Sequence, residues 1–384
     1  MKAAVLGYGT VGAGVYSMLS DAPGMEAGPV LVRPGKAVES FMVSDAALIF
    51  GDPTVDAVVE TLGGLDPAYS YGMRALEARK HFITANKAMV AAHGLELAAL
   101  AREKGAAFLF SAACGGGVPF LHNLALSAET DRIEAVSGIL NGTTNYMLDA
   151  MQRRGLSYGD ALREAQSLGY AESDPTADVS GLDALRKMQL ACAVAFGVLP
   201  QSGMLCEGME HFTAADVEDI QSRGLVCRLM ARGSRAGESV SAYVEPVLFP
   251  RAAPESSVFT NNNMARYTGK RCGSIVLMGQ GAGRFPTASA VLRDLAAAQQ
   301  GARSMFPENC RAAEADNREA VHSYYIRTGG FAAVRLSLRS VLAQGEVVRA
   351  VTEPMSAEKM HALAQNIRKD GNDLFFAALE EELC

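Results

Sequence analysis

Met1–Leu19, MKAAVLGYGTVGAGVYSML, is the stretch whose reading decides how this chain begins to fold. Lys2–Leu6 is a short, mostly apolar run that suits one strand. Gly7, Gly9 and Gly12 follow at the spacing G-x-G-x-x-G, and Val11 to Leu19 carries a helical pattern. A strand, a glycine turn and a helix in that order open a βαβ unit. Its backbone N–H groups and helix N-terminus suit a pyrophosphate. The motif means little alone. Placed between a strand and a helix it reads as a dinucleotide site.

Further along, the second strand should end near Val30–Val32, where an NAD site usually places an acid on the ribose hydroxyls. Here stands Arg33, with Lys36 close by and no acid until Glu39. Cations suit a 2′-phosphate, so NADP is favoured over NAD. The same two residues also read as solvated loop cations. Asp56–Glu60 is a buried strand ending in the Thr61–Gly64 turn, Met73–Arg79 a helix and His81–Thr84 a strand. Asn86 and Lys87 follow at that strand's carboxyl end, where open parallel sheets place their ligands. Phe108–Pro119, FLFSAACGGGVP, is a strand running into a glycine-rich turn, with Cys114 read as a packed thiol.

A second stretch carries chemistry: Ala165–Lys187, AQSLGYAESDPTADVSGLDALRK. Helical residues from Ser157 to Leu168 stop at Gly169, a natural left-handed terminator. Gly169 to Ser180 holds three acids and Pro175, too irregular for another helix. Leu182 to Val194 then resumes as a mostly buried helix. Ser180 suits its N-cap, Asp183 fits the capping box, and Asp183 and Lys187 share one helical face. The pair therefore reads either as helix furniture or as the polar stripe of a cleft. Asn141–Asn145, NGTTN, lies between the strand Ile133–Leu140 and a helix ending at Gly155, and suits a turn and N-cap.

Composition bounds the alternatives. A chain of 384 residues suggests two or three domains, and 49% hydrophobic residues can fill sizeable cores. Lys+Arg 35 against Asp+Glu 42 gives a net charge of −7 without a basic stripe, which argues against nucleic acid. No apolar run approaches the roughly 20 residues of a membrane span, and the first residues read as a strand rather than a leader. Seven scattered cysteines without Cys-x-x-Cys suit reduced thiols and a cytoplasmic protein.

Ala165, Gly169, Tyr170, Ala171, Asp174, Pro175, Asp178, Val179, Gly181, Asp183 and Lys187 together resemble the signature of the homoserine dehydrogenase family. GYGTVGAGV from Gly7, VVETLGG from Val58, ITANKAMV from Ile83, GILNGTTNYML from Gly138 and GAGRFPTASAV from Gly281 resemble further blocks of it, in its order. The resemblance covers about residues 1–305 and weakens beyond. It implies an α/β fold: a Rossmann-like domain over 1–130 with a return segment at 280–305, and an inserted α+β substrate and dimerisation domain over 131–279. Residues 320–384 would be a shortened ACT-like region, with Thr328-Gly329-Gly330-Phe331 replacing the usual Asp-x-Pro-Gly turn. There the residues read as strand (Ser323–Arg327), helix, strand (Val347–Thr352), helix (Ala357–Arg368) and strand (Leu374–Ala377).

The implied activity is reversible, NAD(P)H-dependent reduction of L-aspartate 4-semialdehyde to L-homoserine, in the branch toward threonine, methionine and isoleucine. Lys187 would be the proton donor, with Glu172, Asp178 and Asp183 on the substrate and Glu172 facing its ammonium group. Burial favours the neutral form of such a lysine, while Asp183 opposes that and so serves to orient it. Gly7, Gly9, Thr10, Val11, Gly12, Arg33, Lys36, Lys87, Gly169 and Gly283 would contact the cofactor, and Asn141–Asn145 would present polar groups to the substrate. The family also implies a monovalent cation on the carbonyls of Cys114, Gly116 and Val118, but its glutamate ligand is replaced here by Ser111. A homodimer or larger homo-oligomer is implied. Two other readings stay open: another Rossmann-type amino-acid semialdehyde dehydrogenase, and a catalytically silent nucleotide or metabolite sensor.

Overall fold

The computed structural model describes residues 1–329 and 337–380. The chain divides into two units, one of Met1–Ile133, Gln189–Leu199 and Gly279–Arg311, the other of Glu134–Met188, Pro200–Met278 and Ala312–Cys384.

The first unit is built on six strands: β1 Lys2–Leu6, β2 Glu26–Leu31, β3 Met42–Val43, β4 Ala57–Glu60, β5 His81–Thr84 and β6 Phe108–Leu109. They lie in the order β3-β2-β1-β4-β5-β6, every pair parallel. This is the doubly wound order of dinucleotide-binding sheets. β1 and β4 read as near-continuous apolar runs because helices cover both faces of such a sheet, and Ala4, Val5, Leu6, Val58 and Val59 are fully buried. The return segment supplies the helix Arg284–Gln299, packed on Thr10–Leu19 so closely that a Cβ on Gly14 would stand 2.9 Å from the Arg284 carbonyl oxygen.

The second unit centres on a sheet whose strands run, in space, Gly273–Gln280, Asn262–Gly269, Ile133–Ile139, Leu225–Ala236, Ser239–Pro250, Leu374–Leu379, Tyr324–Gly329, Val347–Thr352 and Leu338–Ala343. The last four are contributed by the chain's C-terminal part, in the spatial order fourth, first, third, second. One hydrophobic cluster runs from Met230, Val247 and Phe249 to Tyr324, Ile326, Met360, Ile367 and Phe376. The C-terminal strands therefore share the core of the strands before them. Arg327 reinforces the join, bonding Asp216 at 2.7 Å as well as Asp373.

Three expectations need correcting. The stretch between Gly169 and Ser180 does contain a helix, the single turn Thr176–Val179, started by Asp174 Oδ1 accepting from the Thr176 N–H and hydroxyl. Ser180 does not cap the next helix: its buried Oγ has no hydrogen-bond partner among the described residues, and Gly181, at φ +84°, provides the first carbonyl, to Leu185. Between the first and third C-terminal strands, Leu338–Ala343 is a strand where a helix was expected, because Leu338–Ala343 finds a partner in Val347–Thr352. The remainder of that expected helix, with Gly330 and Phe331, lies outside the described residues.

Candidate functional site

The glycine turn is made by exclusion. Gly7 sits at φ +99°, which a side chain resists. A Cβ on Gly12 would fall 2.1 Å from the Gly7 carbonyl oxygen, so only glycine lets the helix start this close to the turn. At Gly9, by contrast, a Cβ would meet nothing within 4 Å: the space in front of it is open, where a pyrophosphate would approach the N-terminus begun by Thr10 and Val11. A cavity of about 1210 Å³ opens beside the turn, lined among others by Gly7, Gly9, Arg33, Lys36, Glu39 and Thr61. The donors and the space fit a dinucleotide. Arg33 and Lys36 are exposed and share one turn, Lys36 N–H donating to the Arg33 carbonyl at 3.0 Å. Glu39, the first acid after Lys36, lines the same wall.

Sequence reasoning read Glu60 only as the end of a strand. It is fully buried, and its carboxylate accepts from the N–H groups of Leu62 (2.6 Å) and Gly63 (3.1 Å) and from the Thr84 hydroxyl (2.5 Å). Thr84 Oγ1 accepts from the Asn86 N–H, and Asn86 caps the helix Lys87–Lys104 while donating to the Gly64 carbonyl at 2.6 Å. One buried acid thus shapes the turn after β4 and steadies the residue before Lys87. An acid at the end of an apolar strand was the signal available for it. Lys87 is half-buried at the first position of its helix. Gly283, at φ +126°, precedes the helix Arg284–Gln299.

The second unit brings the acids and the lysine together. Lys187 Nζ lies 2.7 Å from Asp183 Oδ2 and donates to the Leu140 carbonyl at 2.6 Å, the lysine side chain 12% exposed. The Asn141 amide donates to Asp183 Oδ2 at 2.9 Å and to Asp178 Oδ1 at 2.8 Å. Its oxygen meanwhile accepts from the Thr144 N–H and caps the helix Gly142–Arg154. Thr143 Oγ1 bonds Asp178 Oδ2 at 3.1 Å and the Tyr170 carbonyl at 2.5 Å. Asn145 anchors the carbonyls of Val258, Thr260 and Asn262. Asn141–Asn145 is thus both a cap and the clamp that holds two aspartates at fixed distance, the second role being one the sequence did not show. Glu172 is exposed, its carboxylate without a hydrogen bond or ion pair among the described residues; Gly169, three residues earlier, is at φ +74°.

The glycine-rich turn after β6 is held by contacts of its own. Ser111 turns its N–H to Asp294 Oδ2 at 2.8 Å and its hydroxyl toward Met305 Sδ at 3.8 Å, and the Val118 carbonyl accepts from the Phe120 N–H. Cys114 is fully buried, and a Cβ on Gly116 would lie 2.4 Å from the Gly281 carbonyl oxygen. Among the described residues no group of three or more His, Cys, Asp or Glu could hold a metal ion. Burial pushes the Asp294 carboxyl up to about 7, against the hydrogen bonds from Ser111. No helix of the described residues is long and apolar enough to cross a membrane.

Comparisons with known proteins agree across both units. Residues 119–296 match the model of the family described as homoserine dehydrogenase, and residues 7–111 that of the homoserine dehydrogenase NAD binding domain. The chain is 37% identical to the homoserine dehydrogenase of Synechocystis sp. over 319 residues, 77% of this chain and 72% of the relative. To that of Corynebacterium glutamicum it is 38% identical over 316 residues, 77% and 71% of the two chains. Among solved structures, a homoserine dehydrogenase from Thiobacillus denitrificans superposes with a TM-score of 0.88 at 28% identity, covering 99% of this chain and 98% of that one. The S. aureus homoserine dehydrogenase at pH 8.5 gives 0.76 at 27% identity, with 99% of each covered.

Proposed function

This chain belongs to the homoserine dehydrogenase family, and we infer from that how its residues divide the work. The reaction is the NAD(P)-dependent interconversion of L-aspartate 4-semialdehyde and L-homoserine. The observation that carries the assignment of roles is the nearly dry pair of Asp183 and Lys187, held from one side by the Leu140 carbonyl and from the other by Asn141.

Gly7, Gly9 and Gly12, with the N–H groups at Thr10 and Val11, hold the pyrophosphate. Arg33 and Lys36 favour NADP over NAD, and Gly169, Gly283 and Lys87 complete the contacts to the cofactor. When bound, the nicotinamide supplies hydride to the aldehyde carbon in one direction and takes it back in the other. Lys187 gives a proton from Nζ to the carbonyl oxygen as it becomes an alkoxide; the N–H bond breaks, the O–H bond of homoserine forms, and the electron pair stays on nitrogen. Asp183 and the Leu140 carbonyl fix the direction of that N–H. Asp178 and Glu172 receive the amino-acid end of the substrate, Glu172 pairing with its ammonium. Residues 320–384 we read as an ACT-like module, a reading supported by the strand order fourth, first, third, second.

The test is one assay, following oxidation of NADPH and of NADH with L-aspartate 4-semialdehyde. Turnover of this aldehyde in preference to other small carbonyls is the expected result. Nucleotide binding without turnover would turn the reading to a silent sensor, and better turnover of another aldehyde to a different dehydrogenase.

A further inference from the structure

The start of the helix that carries Lys187 is held by a segment that the C-terminal helix holds in turn. Leu205–Cys206 pairs in parallel with Tyr243–Val244, and the Glu207 N–H donates to the Val244 carbonyl at 2.8 Å. From there the segment reaches back to Val179–Gly181. The Met209 N–H donates to the Val179 carbonyl at 2.9 Å, and Cys206 Sγ lies 3.1 Å from the Ser180 carbonyl. A Cβ on Gly208 would stand 2.3 Å from the Val179 carbonyl oxygen, and one on Gly181 would stand 3.1 Å from Cys206 Sγ. Two backbones close on each other here because both positions lack a side chain. On its other side the carboxylate of buried Glu207 accepts both arms of the Arg368 guanidinium, at 2.9 and 2.6 Å. Arg368 also donates to the Leu374 carbonyl at 3.2 and 2.8 Å, which ties the helix Ala357–Lys369 to the following strand.

We propose that Glu207 and Arg368 are positioning residues for Lys187. The bidentate pair, with Glu207 buried and Arg368 partly buried, is a charge-assisted link that fixes geometry as well as contact. It fixes residues 205–209, these fix Val179–Gly181, and the Gly181 carbonyl opens the helix whose first turns set Asp183 and Lys187. A displacement of about 1 Å at a reacting group can cost up to about 10²-fold in rate, so a loosened helix start is felt in turnover before it is felt in binding. The proposal rests on the reading of Lys187 as proton donor.

Glu207→Gln keeps the shape of the side chain and removes its charge; Arg368→Met and Arg368→Lys probe the other partner. Both Glu207→Gln and Arg368→Met should lower kcat about tenfold, with KM for homoserine within about threefold and a displaced pH profile of kcat; Arg368→Lys should recover part of the loss. The deciding measurement is Glu207→Gln in a Lys187→Ala background. If Glu207 acts through Lys187, the second substitution should cost less than about twofold there. An undiminished tenfold loss in that background, or kcat within twofold of wild type for folded Glu207→Gln, overturns the proposal and leaves the proton-donor role standing. Near-wild-type activity of Lys187→Ala alone removes both.

Discussion

At Gly12 the working feature is the absence of a side chain, whose Cβ would strike the Gly7 carbonyl oxygen at 2.1 Å. At Asp183 the side chain is the working part, bonded to Lys187 at 2.7 Å and to Asn141 at 2.9 Å. The two units thus build their sites from different material. The first arranges backbone and leaves room for a large ligand; the second arranges charges that hold one another, with little room to spare. A backbone-built site should fail when atoms are added and tolerate changes of charge around it. A charge-built site should fail when a group is removed even if the fold is intact.

Lys187→Ala is the strongest test of that contrast. It should lower kcat by about 10²–10⁴-fold, the scale of general acid catalysis, with cofactor binding nearly unchanged. A variant within threefold of wild type would take Lys187 out of the proton transfer and reduce the pair to helix furniture. Next in size is Gly12→Ala, which adds one methyl group. Because the obstacle is backbone oxygen, the turn or the helix must move; NADPH affinity, read by fluorescence titration, should fall about 10–100-fold, with overpacking costing about 1–3 kcal/mol of stability. Unchanged affinity would mean the turn is softer than its geometry indicates.

Asp294, like Glu60 a buried carboxylate of the first unit, should show its effect in stability. Its folded value of about 7 lies above the ordinary 3.8, so the folded protein binds the proton more tightly than the unfolded chain. Stability from this group is therefore present at low pH and lost as pH rises through the window between those values. Asp294→Asn should remove that loss, gaining about 2–3 kcal/mol at pH 8 relative to pH 5, less than the full shift would give because pH 5 already lies inside the window. Thermal melts at the two pH values decide it: an equal wild-type-to-variant difference at both would show that Asp294 does not titrate in this window.

What the sequence disclosed, and what it did not, divides along the same line. The glycine turn, the cap at Asn141 and the left-handed residues Gly155 and Gly169 were legible because each is a matter of a few neighbouring residues. Asn141 as a clamp on Asp178 and Asp183 was not, since its partners lie 37 and 42 residues away and only the packing of helices brings them within reach. The Leu140 carbonyl on Lys187 and the folding back of Glu60 onto Leu62 and Gly63 escaped for a related reason: backbone groups used as ligands leave no residue type to read. Ser180 shows the opposite error. The residue type was right for a cap, but Thr176–Val179 ends on it in helical geometry, and the capping position passes to Gly181. Leu338–Ala343 misread for want of its partner strand, which decides strand over helix in short apolar runs.

Glu172→Gln should act on binding rather than on turnover. The carboxylate is exposed, so its attraction for a substrate ammonium is screened, and KM for homoserine should rise about tenfold, less than the loss of a buried charged partner costs. An unchanged KM would remove Glu172 from the substrate's contacts and leave Asp178, already committed to Asn141 and Thr143, as the acid of the loop assigned to the substrate.

The smallest effect, and the one that most directly probes the open side of the first unit, concerns Arg33 and Lys36. Both are exposed on the rim of the cavity beside the glycine turn, with Glu39 on the same wall. If the two cations meet a 2′-phosphate, NADPH should outperform NADH in kcat/KM, and replacing both with neutral residues should narrow that ratio by about three- to tenfold at low salt. Ion pairs made by solvent-exposed charges weaken as ionic strength rises, so the narrowing should shrink in concentrated salt. Glu39→Gln should shift the ratio the other way, toward NADPH, because it removes the one acid on that wall that can bond ribose hydroxyls and repel phosphate. The three substitutions act on solvated groups and should leave kcat alone. If wild type already prefers NADH, or if the ratio stays put in the double variant, Arg33 and Lys36 are solvated loop cations. Glu39 would then be the residue of that wall that reads the cofactor.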